Sequence, residues 1–212
     1  MFELGCKIFL AYLLGSLSGS LLLGRLKGTD IRQMGSGNAG ATNALRTQGL
    51  VFALGVAIFD VGKGLIAAAW LPHAGWLPLD PSLERIWVVA ACGAAAVVGH
   101  IYPFWHDFRG GKGAATLIGA YCIVAPKLIL PALVVFLLGV TLTGYVGLST
   151  ILTVTAAFVF SMVLYADVST PFWFALAMAV LVVVAHRGNI ERMIAGNENR
   201  LERAMIWRNR RS

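Results

Sequence analysis

Charged residues are scarce in this sequence. Asp, Glu, Lys and Arg make up 13% of its 212 residues and 58% are hydrophobic, whereas soluble domains are about a quarter charged. The mean hydropathy is +0.77. A water-soluble fold of this composition would expose large apolar patches, which lipid instead solvates. The composition therefore predicts an integral membrane protein with a single domain over residues 1–212.

Cysteine is scarce as well. The chain has three cysteines, Cys6, Cys92 and Cys122, all in apolar stretches and without a Cys-x-x-Cys pair. An odd number without metal-ligand spacing indicates neither a zinc site nor a disulfide framework, and small buried hydrophobic residues are the simpler interpretation. No metal and no cofactor are therefore expected.

Acidic residues are outnumbered by basic ones, ten against 17, which gives a net charge of +7. Seven of the basic residues lie in the segment 187–212. No aromatic interleaving or nucleic-acid motif accompanies them, so no nucleic-acid partner is expected. The segment is predicted to be a cytoplasmic tail attracted to anionic membrane lipids, and beyond residue 201 to lie on the membrane as an amphipathic tail.

Long apolar runs dominate what remains, and they predict an all-α fold with about seven transmembrane helices. Several runs are shorter than the roughly 17–20 residues that a span needs, so five or six spans are the alternative. Turns between runs are marked by the segment 167–171 and by Pro72, Pro78, Pro81, Pro126 and Pro131. The seven runs are 2–23, 51–71, 86–102, 114–125, 128–142, 151–166 and 172–186.

Basic residues are distributed unevenly between the connecting segments. Four lie in the segment 24–50 and two in 103–113, whereas the alternate turns hold only Arg85 and Lys127. The positive-inside rule places the basic segments in the cytoplasm, so the N-terminus is predicted to be periplasmic and the C-terminus cytoplasmic. The N-terminal run lacks a preceding basic region and is predicted to be a span, not a cleaved signal.

Polar side chains concentrate in three segments on the predicted cytoplasmic side, and the first is rich in glycine. Backbone N–H groups in a loop with Gly35, Gly37 and Gly40 can surround an anion, and the following helix adds a positive N-terminus. Dinucleotide folds share this spacing, but they need a preceding strand and an acidic residue about 20 positions on; Asp60 lies inside an apolar run. A simple glycine-rich turn is the alternative. Four polar residues favour a site: Ser36, Asn38, Asn43 and Arg46.

The second segment opens a predicted helix with Gly110, Gly111, Lys112 and Gly113. Glycines allow a phosphate to approach the backbone closely, and the lysine supplies a positive charge. It is not a Walker A loop, because His106 and Gly113 stand where that motif requires glycine and Ser or Thr. His100, at the end of an apolar run, is either a ligand or base, or a structural hydrogen-bonding residue.

The third segment follows the last apolar run. Histidine side chains in general titrate near neutrality, which suits His186 to proton transfer. If the helix continues, Asn189 lies one helical turn further on the same face. Glu191 and Glu198 are expected to pair with neighbouring arginines.

Two charged residues fall inside an apolar run. Asp60 and Lys63 are spaced i, i+3 and are expected to pair on one helix face. Intramembrane charges indicate function by default, but an ion pair that stabilises the bundle is an equal alternative.

The three segments together resemble the bacterial acyl-phosphate-dependent glycerol-3-phosphate acyltransferases. They occur in the order of that family and extend over nearly the whole chain. The matching blocks are Gly35-Ser-Gly-Asn-Ala-Gly-Ala-Thr-Asn43 with Arg46, Gly99-His with Pro103 and Phe108-Arg-Gly-Gly-Lys-Gly113, and His186-Arg-Gly-Asn-Ile-Glu-Arg192 with Gly196 and Glu198.

The resemblance implies a seven-helix enzyme of the bacterial inner membrane whose active site faces the cytoplasm. Its expected substrates are an acyl phosphate and glycerol 3-phosphate, and its products are 1-acyl-glycerol 3-phosphate and inorganic phosphate. The expected catalytic residues are Ser36, Lys112, His186 and Asn189. The expected substrate-binding residues are Gly37, Asn38, Asn43, Arg46, His100, Gly110, Gly111 and Gly113.

The sequence departs from the family pattern in two places. Gly147 stands where a Tyr-x-Ser-Leu pattern has its serine, with Ser149 or Thr150 as possible substitutes, and Arg109 replaces a common lysine.

Three other functions are less consistent with the sequence. Acyltransferases with His-x4-Asp are matched only by His186 and Glu191; a transporter would place its site near the midplane between repeated halves; and a lipid-binding scaffold would not need two phosphate cradles and a histidine.

Overall fold

The computed structural model describes residues 2–75, 82–165 and 169–206. The chain forms two compact units, Met1–Pro126 and Lys127–Ser212, and each is described by itself. All regular structure within the described residues is helical, as the apolar runs predict. The proline turn at 72–81 is described only as far as residue 75, and residues 167 and 168 of the turn at 167–171 lie outside the described residues.

Six α-helices lie in the described part of the first unit. The fourth, α4, contacts the five others, and α1 also packs along α5. The helices are α1 (Phe2–Gly15), α2 (Gly19–Leu26), α3 (Ala41–Gln48), α4 (Leu50–Ala69), α5 (Arg85–Ile101) and α6 (Ala114–Val124). Short 3₁₀ turns occur at Ile31–Gln33, Leu71–His73 and Phe104–His106.

The second unit is built on three long apolar helices, of which α8 packs against both α7 and α9. A shorter polar helix, α10, continues from α9 after a bend of 52°. The helices are α7 (Ile129–Thr143), α8 (Val146–Leu164), α9 (Thr170–Ala185) and α10 (Arg187–Ile194). Gly144, with φ of +73°, forms the tight turn between α7 and α8.

Four helical segments in the described residues are long and apolar enough to cross a membrane: Leu50–His73, Arg85–His106, Pro126–Thr143 and Val146–Leu164. The count rises to six if the bent pairs α1–α2 and α9–α10 each form one span. The remaining apolar helix, α6, has only 11 residues. All seven predicted runs are therefore helical, whereas seven full spans and the orientation of the termini stay predictions.

Large apolar side chains point outward from these helices. Leu130, Val163 and Val180 are 72%, 75% and 58% exposed. Such side chains on most faces of long helices are unfavourable in water and favourable in hydrocarbon. The chain is accordingly a multi-pass membrane protein.

The first apolar run, predicted as one span over residues 2–23, is broken. α1 ends at Gly15 and α2 starts at Gly19, with a bend of 45° between them. A break of this kind exposes backbone N–H and C=O groups that lipid cannot satisfy. It therefore needs polar partners from another helix.

Asp60 and Lys63 of α4 supply those partners. Asp60 Oδ1 accepts the N–H of Gly19 at 3.1 Å, and Lys63 Nζ donates to the carbonyl oxygen of Leu17 at 2.8 Å. The two side chains pair at 3.1 Å and are almost completely buried. The predicted ion pair thus exists, and it caps both sides of the break in the first run.

Small residues set the distance between α4 and α6. A Cβ atom built on Gly64 would overlap the carbonyl oxygen of Thr116, and one built on Gly119 would overlap the carbonyl oxygen of Val61. Helix backbones in membranes gain van der Waals contact through such close approach. The contact fixes α6, and with it the glycine-rich segment that precedes it.

We expect Gly64→Ala to lower the thermal unfolding temperature in detergent, because the new methyl group forces α4 and α6 apart at a cost of about 1–3 kcal/mol. Gly62→Ala is the matched control on the same helix, since nothing lies within 4 Å of its built Cβ. Alanine's better helix propensity should leave that variant unchanged or slightly more stable. Equal melting temperatures for the two variants would contradict the close-packing interpretation.

Candidate functional site

The loop that carries the first polar segment is organised by Asn43 in the first turn of α3. Its Oδ1 accepts the N–H of Ser36 at 2.9 Å, while its Nδ2 donates to the carbonyl oxygens of Ile31 and Met34 at 3.0 and 2.9 Å. The side chain is 1% exposed. Asn43 therefore shapes the loop, and sequence alone did not separate this role from direct binding.

The other predicted residues of this loop lie nearer the surface. Gly37 is exposed and has φ of +72°, whereas Ser36, Asn38 and Arg46 are half-buried. The N–H groups of Ser36 and Gly37 are donated within the loop, to Asn43 Oδ1 at 2.9 Å and to the carbonyl oxygen of Met34 at 3.0 Å, so they fix the turn. Arg46, from the last turn of α3, adds a positive charge to the same element.

Arg32 ties the first loop to the second. Its guanidinium holds the Asp30 carboxylate through two nitrogen atoms, at 2.8 Å from Nη2 and 3.1 Å from Nε. Its Nη1 donates to the carbonyl oxygens of His106 and Arg109 at 3.3 and 3.4 Å. The hydrogen bond from the Arg32 side chain holds the pKa of Asp30 below its usual value, although partial burial opposes it. Sequence analysis did not identify Arg32 as a link between the loops.

The second loop folds back onto the end of α5. The N–H groups of Gly110 and Gly111 donate to the carbonyl oxygens of Ile101 and His100, both at 3.1 Å. A Cβ on Gly111 would overlap His100 Nε2 and would lie 2.9 Å from the carbonyl oxygen of Ala39 in the first loop. The first two predicted segments are therefore in contact, and the absent side chain of Gly111 allows it.

The second loop leads directly into the start of α6. Gly113, with φ of +84°, is the N-cap residue of the helix, and Lys112 beside it is half-buried. Asp107 and Phe108 also have positive φ values, 55° and 58°. A non-glycine residue in this region is strained, and such strain is frequent at ligand-binding loops.

A polar cleft of about 530 Å³ opens beside these loops. It is lined by Asp30, Arg32, Gln33, Asp107 and Arg109. None of the predicted binding residues lines it. The glycine-rich contact between the two loops, with its lysine and arginine, is the better candidate for binding phosphate.

His186 ends α9 in the second unit. Its Nδ1 lies 2.8 Å from the carbonyl oxygen of Val182, and the ring is buried. Because a carbonyl oxygen only accepts, Nδ1 carries a proton, and in the neutral ring the lone pair is on Nε2. That nitrogen is the atom suited to accept a proton.

Asn189 is positioned by Glu198 and by α8. Its Nδ2 donates to Glu198 Oε1 at 2.9 Å, and Arg192 Nε donates to Glu198 Oε2 at 2.7 Å. A Cβ on Gly147 would lie 2.6 Å from Asn189 Nδ2 and 3.0 Å from its Cβ. Gly147, which stands where the family pattern has a serine, thus leaves room for the Asn189 side chain.

Both suggested substitutes for the missing serine donate their hydroxyl hydrogen to a backbone carbonyl near the start of α8. Ser149 packs against Gly139 of α7, and its hydroxyl donates to the carbonyl oxygen of Tyr145 at 2.8 Å. The hydroxyl of Thr150 donates to the carbonyl oxygen of Val146 at 2.9 Å. Both hydroxyls are used within their own helix.

The segment after α10 differs from the predicted membrane-surface tail as far as the structure describes it. The N–H groups of Leu201 and Ile206 donate to the carbonyl oxygens of Gly144 and Thr141, at 2.8 and 3.1 Å. The Arg200 guanidinium lies 4.6 Å from the ring centre of Tyr145. Residues 201–206 therefore pack on the α7–α8 turn, because the unpaired carbonyls at that helix end accept their N–H groups. Residues 207–212 lie outside the described part.

No group of three or more His, Cys, Asp or Glu side chains in residues 2–75, 82–165 and 169–206 is arranged to hold a metal ion.

Comparison with known proteins finds one family throughout. Residues 6–196 match the family described as glycerol-3-phosphate acyltransferase. The glycerol-3-phosphate acyltransferase of Halalkalibacterium halodurans is 39% identical over 206 residues, which cover 95% of this chain and 97% of the relative. That of Geotalea daltonii is 40% identical over 193 residues, covering 91% and 95%.

Two solved structures are similar in fold. Both are crystal structures of PlsY, an integral membrane glycerol 3-phosphate acyltransferase. The glycerol 3-phosphate form has a TM-score of 0.80 at 33% identity and covers 93% of this chain and 95% of that chain. The lysophosphatidic acid form has a TM-score of 0.78 at 34% identity, covering 93% and 94%.

We expect Asn43→Asp to destabilise the first loop. The aspartate side chain has the shape of asparagine, but one of its carboxylate oxygens would face the two carbonyl oxygens to which Asn43 donates. The loss of both hydrogen bonds should lower the free energy of unfolding by about 1–3 kcal/mol. Thermal unfolding and amide hydrogen exchange of residues 34–37 would measure the effect. Asn38→Asp makes the same chemical change at a half-buried position of this loop and should shift stability by less than about 0.5 kcal/mol. Similar losses in both variants would refute the organising role of Asn43.

Proposed function

Because the chain belongs to the glycerol-3-phosphate acyltransferase family, we propose that it transfers a fatty acyl group from an acyl phosphate to the 1-hydroxyl of glycerol 3-phosphate. The products are 1-acyl-glycerol 3-phosphate, which is lysophosphatidic acid, and inorganic phosphate. The reaction is the first acylation in phospholipid synthesis. The two similar PlsY structures, in glycerol 3-phosphate and lysophosphatidic acid forms, support the acceptor and the product.

The observation that carries the donor assignment is the contact between the two glycine-rich loops at Gly111 and Ala39. An acyl phosphate and glycerol 3-phosphate each bring a phosphate, so two anion sites are needed. Each loop leads into a helix N-terminus without a side-chain cap, at Gly40 and at Gly113, and a basic residue lies on or beside that helix, Arg46 on α3 and Lys112 before α6. The first loop shares the glycine spacing of dinucleotide folds but follows a helical turn where those folds have a strand, and the second is not a Walker A loop. Both features are consistent with a donor without a nucleotide.

The chemistry needs little beyond orientation and charge stabilisation. The hydroxyl oxygen of glycerol 3-phosphate attacks the carbonyl carbon of the acyl phosphate, and the bond from that carbon to the phosphate oxygen breaks. Since the donor is a mixed anhydride with a good leaving group, no covalent enzyme intermediate is required. The enzyme aligns the reactants and stabilises the charge that develops on the departing phosphate.

We assign the binding roles as follows. Ser36, Arg46 and Lys112 bind phosphate groups. The loop with Gly110, Gly111 and Gly113 shapes the acyl-phosphate site. Four further residues contribute to substrate binding because they form or support the two loops: Gly37, Asn38, Asn43 and His100.

His186 and Asn189 position glycerol 3-phosphate. The proton of the attacking hydroxyl goes either to His186 Nε2 or to the leaving phosphate. The hydrogen bond from His186 Nδ1 to the carbonyl oxygen of Val182 supports the first route, because it leaves the basic lone pair on Nε2.

The location follows from the distribution of basic residues. We place the protein in the bacterial inner membrane with its N-terminus in the periplasm and its C-terminus in the cytoplasm, among membrane lipids. All three polar segments then face the cytoplasm, where glycerol 3-phosphate is available, while the acyl chain of the donor stays in the bilayer.

Purified protein in lipid should form lysophosphatidic acid and release inorganic phosphate from glycerol 3-phosphate and an acyl phosphate, and should form neither with acyl-CoA. Chromatography of the lipid product and a phosphate assay measure the two products. Product from acyl-CoA alone would retain the acyltransferase and reject the donor. Uptake of glycerol 3-phosphate into liposomes without any acylated product would favour a transporter instead.

We expect Gly147→Ala to reduce turnover about tenfold or more, because the methyl group displaces an Asn189 side chain that Glu198 and burial hold in place. Gly188→Ala adjoins Asn189 as well, but its built Cβ has only an ordinary contact, 3.5 Å from Arg192. That variant should retain most of its turnover. A fully active Gly147→Ala enzyme would remove the geometric constraint on Asn189 from the mechanism.

A further inference from the structure

The chain reverses its direction immediately after α10. Gly196 has φ of +72°, and its N–H donates to the carbonyl oxygen of Met193 at 3.1 Å. The next N–H, that of Asn197, donates to the carbonyl oxygen of Arg192 at 2.9 Å. These two hydrogen bonds form a Schellman turn, which ends the helix. The match to the acyltransferase family ends at residue 196, so the segment that follows lies beyond it.

The reversed chain packs on the turn between α7 and α8, and we call residues 200–206 the strap. Two N–H groups of the strap donate to carbonyl oxygens of that turn, at 2.8 and 3.1 Å. A Cβ built on Gly144 would lie 2.8 Å from Met205 Sδ, so the absence of a side chain there lets the strap approach the backbone. The Arg200 guanidinium lies 4.6 Å from the ring centre of Tyr145, the N-cap residue of α8. The strap is therefore attached to the start of α8.

These contacts close a ring around Asn189. Glu198, just before the strap, accepts a hydrogen bond from Asn189 Nδ2 at 2.9 Å, and its side chain is 4% exposed. On the other side, a Cβ built on Gly147 of α8 would lie 2.6 Å from the same nitrogen atom. Asn189 thus lies between the carboxylate that leads into the strap and the helix on which the strap packs. Attachment of the strap to α8 fixes the distance between the two surfaces that hold the amide.

We propose that the strap is a positioning element for Asn189 and thereby sets the affinity of the enzyme for glycerol 3-phosphate. It acts through Glu198 and the start of α8, and its anchoring groups are the N–H groups of Leu201 and Ile206. The proposal rests on the proposed function, in which Asn189 positions glycerol 3-phosphate. A strap that only stabilised the fold would lower the unfolding temperature without a selective effect on one substrate.

The first test removes the N–H of Leu201. Leu201→Pro lacks the donor to Gly144, whereas Glu202→Pro makes the same change at the first residue of a short helical turn, where proline is tolerated. Calorimetric titration with glycerol 3-phosphate measures Kd without an acyl donor. We expect Leu201→Pro to raise Kd about tenfold and Glu202→Pro to stay within about twofold. A folded Leu201→Pro protein with the Kd of the unmodified protein would overturn the proposal.

Ile206→Pro tests the other end of the strap and serves where Leu201→Pro does not fold. Met205 has φ of −76° and ψ of 135°, a conformation suited to the residue before proline, so the substitution removes the hydrogen bond to Thr141 with little strain. The Kd for glycerol 3-phosphate should rise about threefold or more. Unchanged binding by the folded variant would reject the role of the strap.

Two comparisons separate positioning from a general loss of stability. In an Asn189→Ala background, Leu201→Pro should change Kd by less than about twofold, because the strap acts through an amide that is already absent. An equal loss of affinity in both backgrounds would show that the strap acts on the fold as a whole. In steady-state kinetics, Leu201→Pro should raise the KM for glycerol 3-phosphate and leave the KM for acyl phosphate within about twofold.

The titration also distinguishes this proposal from the proposed function. Should the unmodified protein bind glycerol 3-phosphate but form no product from an acyl phosphate, the donor assignment fails while the Kd values still decide the role of the strap. Unmodified protein that does not bind glycerol 3-phosphate would overturn both.

Discussion

The structure depends on one constraint, which is that hydrocarbon offers no hydrogen bonds to a broken helix. The interruption between α1 and α2 leaves the Leu17 carbonyl and the Gly19 N–H without partners in their own helices. Asp60 and Lys63 satisfy both groups from α4, the helix that contacts every other helix of the first unit. Lys63 Nζ also lies 2.9 Å from His100 Nδ1, and the His100 carbonyl oxygen accepts the N–H of Gly111 in the second loop. The bend in the first run and the residue that supports the second loop therefore contact the same buried charge pair.

Rigidity in the first unit follows from shared contacts, each of which fixes two elements. Arg32 joins its own loop to the carbonyl oxygens of His106 and Arg109, and Asn43 closes the loop that Arg32 begins. The close approach of α4 and α6 then fixes the helix that follows Lys112. A preorganised cradle suits the proposed reaction, because with an activated donor orientation and fixed dipoles would provide most of the acceleration.

The sequence was sufficient for those features that follow from solvation and chain periodicity. Apolar runs predicted every long helix of the described residues, and the three motif blocks identified the family. It was not sufficient for features that depend on a partner distant in the chain. The break at residues 16–18 contains no proline, and only Asp60 and Lys63, more than 40 positions later, make it stable. The ion pair itself was predictable from its spacing, but its contact with His100, at 2.9 Å from Lys63 Nζ to His100 Nδ1, was not.

The contact between Gly147 and Asn189 has a consequence for inhibitor selectivity. Relatives that carry a serine at this position offer a hydroxyl group to a bound ligand, whereas this chain presents bare helix backbone and the amide of Asn189. A compound whose affinity depends on that hydroxyl loses a hydrogen bond here, and one that fills the space of the missing side chain gains contact only in this chain. A single absent side chain thus makes two related proteins chemically distinguishable to a ligand.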